Sequence, residues 1–84
     1  MKVYLRWRMS SRPSFPFVFD VSDETTFSDI CDMIIEKNNK NDNNTPFCFV
    51  KILDENNRFI KNDILLNKFT SYCGNYFYQF DAGL

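Results

Sequence analysis

Apolar and polar residues alternate without a break over residues 2 to 9, KVYLRWRM, with Val3, Leu5, Trp7 and Met9 on one side and Lys2, Tyr4, Arg6 and Arg8 on the other. Such a period of two predicts a strand with one buried face. The Ser- and Pro-containing SSRPS then predicts a turn, and FPFVFDV alternates again, placing Phe15, Phe17, Phe19 and Val21 on one face and Val18 and Asp20 on the other. Pro16 confines that strand to an edge or to a start just there. At Thr26 the period changes. Phe27, Ile30, Cys31 and Ile34 recur at helical spacing, with Thr26 as N-cap and Asp29 as a short capping-box partner. The helix is expected to stop at an Asn-rich loop, residues 38 to 46, which carries five Asn in nine positions.

A second pair of strands follows. In CFVKIL the parity sets Cys48, Val50 and Ile52 on one face and Phe49, Lys51 and Leu53 on the other; DENN supplies a turn and RFI returns as a short strand. Asn56 and Asn57 tolerate the positive φ that such turns require. ILLNKF is too short for an independent helix and predicts an irregular or 3₁₀ segment, and YCGN a further turn. The last strand, NYFYQF, buries Tyr76, Tyr78 and Phe80 and leaves Phe77 facing out between Asn75 and Gln79. Hairpin, helix, hairpin, irregular segment and final strand can bury all these stripes at once if one helix crosses the inner face of an antiparallel sheet, an α+β arrangement.

The chain has 84 residues, enough for a single domain, residues 1 to 84, which buries roughly 60 to 65% of its unfolded surface. An aromatic fraction of 18% supplies bulky side chains for so small a core. Net charge is −1, so no global basic field draws in nucleic acid or an acidic membrane; four of the ten basic residues, Lys2, Arg6, Arg8 and Arg12, nevertheless gather at the start. The three cysteines, Cys31, Cys48 and Cys73, are too dispersed for a disulfide framework or a metal knuckle, and are read as buried thiols in a reducing compartment. There is no signal-peptide core and no run near the ~20 apolar residues of a membrane span, so a cytoplasmic or nuclear location is expected.

No enzyme is expected either. Histidine is absent, no nucleophile sits in a recognisable elbow, and two glycines, Gly74 and Gly83, cannot make a phosphate loop. Asp54 and Glu55 are adjacent carboxylates in a polar turn. No metal and no other cofactor is implied.

The element order, together with Phe19, Val21, Thr26, Phe27, Ile30 and Ile34 around the strand-to-helix passage, resembles the ubiquitin-like β-grasp domains. That resemblance implies a mixed four- to five-stranded sheet with one helix packed across one face, and first, last and third strands side by side. It further implies a noncatalytic protein-protein interaction module, an adaptor or the N-terminal domain of a larger protein, whose partner docks on the outer face of the sheet. Carried over by parity, that face holds Tyr4, Arg6, Arg8, Phe49, Lys51, Leu53, Phe77 and Gln79. The iron-sulfur members of the group need clustered cysteines, which this chain lacks.

Two alternatives follow from the same resemblance. Ras-association domains share the architecture and meet an acidic small-GTPase surface by strand addition at the second strand, which Arg6, Arg8 and Arg12 would serve. A conjugatable modifier would use Gly83 in the terminal FDAGL, although relatives that conjugate end in Gly-Gly. Exposed strand edges also leave a dimer by edge pairing open.

Overall fold

The computed structural model describes residues 1–10, 14–41, 46–69 and 71–83. In chain order the elements are β1 (Lys2–Trp7), β2 (Phe17–Asp20), α1 (Phe27–Asn41), β3 (Phe49–Leu53), a 3₁₀ turn (Leu66–Lys68) and β4 (Asn75–Gly83). The four strands form one mixed sheet in the order β2-β1-β4-β3. β1 runs parallel to β4 and antiparallel to β2, and β3 runs antiparallel to β4, so the sheet is mixed rather than the antiparallel one that the element order alone suggests. With α1 packed against this sheet, the chain is an α+β protein in a β-grasp arrangement.

The start of α1 follows from its sequence. Thr26 N–H donates to Asp29 Oδ2 at 3.0 Å and Asp29 N–H donates to Thr26 Oγ1 at 3.2 Å, a reciprocal capping box. The next orphan donors of the first turn find the incoming segment: Phe27 N–H bonds Ile64 O and Ser28 N–H bonds Asn62 O. Replacing Thr26 by Ala removes one side of the box and is expected to lower stability by about 1 kcal/mol, whereas Ser should restore most of it. Urea midpoints of the two variants measure this.

Every apolar residue of the predicted stripe, Phe27, Ile30, Cys31 and Ile34, is buried. Against them lie Val3 and Leu5 of β1, Val50 and Ile52 of β3, and Tyr76 and Phe80 of β4, closed at the rim by Phe47, Ile60 and Leu66. The rings meet edge to face: Phe27 with Phe69 at 5.3 Å and Tyr78 at 5.4 Å, and Phe80 with Phe17 at 5.4 Å.

Four expectations are corrected. β1 ends at Trp7, so Met9 does not continue the buried face but is 76% exposed in the turn beyond it. β2 begins only at Phe17, so Phe15 leaves the inner face. The helix runs on to Asn41, taking up the first part of the expected 38 to 46 loop. The poor helix propensity of asparagine is offset because Asn39 is stapled to the approach to β3: its Oδ1 accepts from Phe47 N–H at 2.7 Å and its Nδ2 donates to Phe47 O at 3.1 Å. The remaining loop residues, 42 to 45, lie outside the described residues. Finally, the expected RFI strand is reduced to a Leu53–Phe59 bridge and an Ile60 N–H bond to Ile52 O.

The DENN and YCGN turns hold as expected, whereas residues 11 to 13 of the expected SSRPS turn lie outside the described residues. Asn57 has φ of 61°, with Asp54 Oδ1 accepting from the N–H groups of Asn56 and Arg58. Cys73 and Gly74 both lie at positive φ, 53° and 80°, as a two-residue turn between the mutually bonded Tyr72 and Asn75 requires. β4 then continues three residues past Phe80, so Gly83 is part of the sheet.

Candidate protein-binding surface

The face of the sheet away from α1 is organised by strand register. Tyr4 on β1 stands beside Val18 on β2 and beside Phe77 on β4; Arg6 stands beside Gln79, and Gln79 beside Leu53 on β3; Lys51 faces Asp81, and Phe49 faces Gly83. Because side chains alternate along each strand, these residues form successive rows across one surface.

The central row is aromatic. Tyr4 and Phe77 stack with ring centroids 4.9 Å apart and planes at 12°, and Phe15 meets Phe77 edge-on at 5.5 Å. Tyr72 approaches the same ring from the turn before β4, at 6.4 Å. Phe77 remains 45% exposed in the middle of this group. Strand parity assigns Phe15 to the inner face, but Pro16 interrupts the ladder, so the strand rhythm does not carry across it. That proline is the signal by which the fourth aromatic partner can be found.

The next row is cationic and internally braced. The Arg6 guanidinium lies 5.7 Å above the Phe15 ring, and Gln79 Oε1, with its amide turned toward Arg6, accepts from Nε at 3.3 Å and Nη2 at 3.0 Å. Arg8 forms an ion pair with Asp81 at 2.8 Å, a residue on the neighbouring strand that strand parity alone does not flag. Lys51 spans two exposed rings, with its Nζ 6.0 Å from the centre of Phe49 and 5.1 Å from that of Phe59. Phe49 is 51% exposed, and Gly83 beneath it has no room for a side chain: a Cβ there would run into the Phe49 ring. The Gly83 carbonyl accepts from Cys48 N–H at 2.7 Å, which ties the glycine into the sheet.

Seven of the eight residues expected on this face are brought together on it with exposed or half-buried side chains: Tyr4, Arg6, Arg8, Phe49, Lys51, Phe77 and Gln79. Leu53 is the correction. It has the right parity but is only 1% exposed, because β3 there is no longer an edge: the chain pairs with Gln79 on one side and bridges to Phe59 on the other. Leu53 therefore supports the surface from below and offers a partner almost no area.

Elsewhere the chemistry is quiet. Burial, reinforced by Asp32, pushes the Cys31 thiol up to about 11, so it stays protonated at neutral pH; the expected burial is corrected for Cys48 and Cys73, which are free thiols at the surface because Cys48 precedes the start of β3 and Cys73 lies in the turn before β4. Among the described residues no helix is long and apolar enough to cross a membrane. Comparison with family models, with curated proteins and with solved structures finds no match for this chain.

Proposed function

We propose that this chain is a ubiquitin-like β-grasp interaction module, without catalysis of its own, that docks a partner protein on the outer face of its sheet, as an adaptor or the N-terminal domain of a larger protein in the cytoplasm or nucleus. One observation carries the reading. Phe77 lies half exposed on a central strand, already held between Tyr4 and Phe15, so a partner covering it gains apolar burial without having to order the ring first. Arg6, Arg8 and Lys51 beside it give orientation and charge complementarity. Phe49 extends the apolar area at the far end of the surface.

The test is a comparison of wild type with Phe77→Ala. The bait retrieves a partner from native extract, mass spectrometry identifies it, and calorimetry on the purified pair gives the affinity. Phe77→Ala is expected to weaken binding by about 2 kcal/mol or more while the fold persists, since an exposed ring contributes little to the core. Undiminished affinity in the folded variant removes the site.

The Ras-association alternative has one feature in its favour: β2 stands at the edge of the sheet, where a strand can be added. Lys37 of α1 does lie over Phe17 and Phe19 of β2, but the described arginines expected to serve that edge do not gather there. Arg8 reaches Asp81 on β4, on the side away from β2, and Arg6 is held by Gln79, also on β4. Arg12 lies outside the described residues. The outer face is thus the better supported site.

A further inference from the structure

At one end of the aromatic row the surface opens into a cleft of opposite electrical character. A cavity of about 420 Å³ lies between Phe77 and Phe15 on one side and the turn carboxylates Asp54 and Glu55 on the other. A second, of about 210 Å³, adjoins it, sharing Asp54, Glu55 and Phe77 and adding Tyr72. The larger falls within the ~300–1,000 Å³ of cavities that hold small ligands or side chains.

Its carboxylates have spare capacity. Asp54 spends Oδ1 on the turn, accepting from Asn56 and Arg58 N–H groups. Among the described residues the ion pairs are Met1–Asp20 and Arg8–Asp81, so neither Asp54 nor Glu55 meets a cation. Their field nevertheless reaches the wall: after burial and Tyr76, both carboxylates push the Tyr78 phenol upward. Negative charge beside exposed aromatic rings selects a cation.

The form of the cation follows from the wall. Flat rings beside carboxylates suit a planar guanidinium, which stacks and forks, better than a compact, strongly hydrated ammonium. The chain already shows that mode at the rim, where the Arg6 guanidinium lies over Phe15 while donating to the Gln79 carbonyl oxygen.

We propose that this cleft receives an arginine side chain of the docked partner, its guanidinium packed against the Phe77 and Tyr72 side chains and bonded to Asp54 and Glu55. The inference rests on the docking reading above and deepens it. The surface becomes polar along its length, basic at Arg8 and Lys51 and acidic at Asp54 and Glu55, so a partner carrying arginine at one end and acid at the other can bind in one orientation only.

The arginine site is tested without a partner, and partner binding then separates it from the docking reading. The intact chain is titrated with N-acetyl-arginine amide, the matching lysine amide and the neutral citrulline amide, followed by amide resonances in two-dimensional NMR. Saturable shifts confined to Asp54, Glu55, Phe77, Tyr78 and their neighbours are expected with arginine, weaker ones with lysine and none with citrulline. Glu55→Gln, which alters an exposed side chain, should weaken arginine binding roughly two- to fivefold; Asp54→Asn, which keeps the Oδ1 acceptor of the turn, should act in the same direction. Equal responses to arginine and citrulline, or to arginine and lysine, overturn the proposal, as does an unaltered arginine titration in Glu55→Gln. If arginine leaves the spectrum unmoved while Phe77→Ala still weakens partner binding, the arginine site falls and the docking reading stands. Arginine binding combined with a Phe77→Ala variant that binds partner normally removes the docking reading and keeps the cleft as an arginine site.

Discussion

Phe80→Ala is expected to cost about 4 kcal/mol, most of the folding free energy available to a domain of this length. The ring is wholly buried, paired between Trp7 on β1 and Ile52 on β3, with Phe17 edge-on at 5.4 Å and Phe47 at 6.0 Å. Its removal leaves a cavity at the junction of three strands, where the sheet cannot collapse without losing its ladder. Thermal unfolding followed by circular dichroism should show a midpoint lower by about 20 °C. Phe77→Ala removes the same atoms three positions earlier on the same strand and should cost no more than about 1 kcal/mol, because its ring already faces solvent. Similar losses in the two variants would mean that α1 does not cover the face on which Phe80 lies.

That contrast between Phe77 and Phe80 is legible in the sequence, since period-two alternation in a strand flanked by Asn75 and Gln79 leaves a single sensible choice of inner face. So is the helix: a stripe at helical spacing behind a Thr and Asp cap states both where it starts and which side it buries. Local rules fail where a local rhythm is interrupted. Parity carries Phe15 to the wrong face because Pro16 ends the ladder before it, and it leaves Leu53 exposed because a bridge to Phe59 covers a strand that looks like an edge. The helix runs into its Asn-rich sequence through Asn39 and Phe47, a contact between elements that propensity cannot contain.

The site is legible only in part, for a related reason. Which residues face outward is a local property, and parity places seven of them correctly. Which of them touch is not. The Tyr4–Phe77 stack and the Arg8–Asp81 ion pair depend on β1 lying parallel beside β4, chain segments from opposite ends of the sequence, and on their register. Resemblance to the β-grasp family implies the juxtaposition of those strands but not their register. The acidic cleft lies further out of reach, since Asp54 and Glu55 look like any polar turn until the fold sets Phe77 and Tyr72 opposite them.

Stability should fall as the solution is made alkaline, starting near pH 9. Cys31 lies on the buried stripe of α1, where desolvation first and the Asp32 charge second raise its thiol from 9.0 to about 11. In the unfolded chain the thiol ionises at the ordinary value, so between about pH 9 and 11 the unfolded state binds fewer protons than the folded state. Stability therefore declines with rising pH across that window, and the contribution of Cys31 is fully present only below it. For this thiol alone the loss is about 2 kcal/mol by pH 11. Tyr78 acts in the same sense, because burial, then Tyr76, Asp54 and Glu55, raise its phenol above 10.0 in the folded chain. The measurement is the urea midpoint at several pH values from 8 to 11 under reducing conditions, which keep Cys48 and Cys73 as thiols. Cys31→Ala should start less stable near neutrality, since it vacates part of the core, yet lose distinctly less between pH 9 and 11; Tyr78→Phe should flatten the curve from pH 10 upward. Parallel curves for wild type and Cys31→Ala would show that the thiol ionises as readily in the folded chain as in the unfolded one, which the packing of α1 against the sheet does not permit.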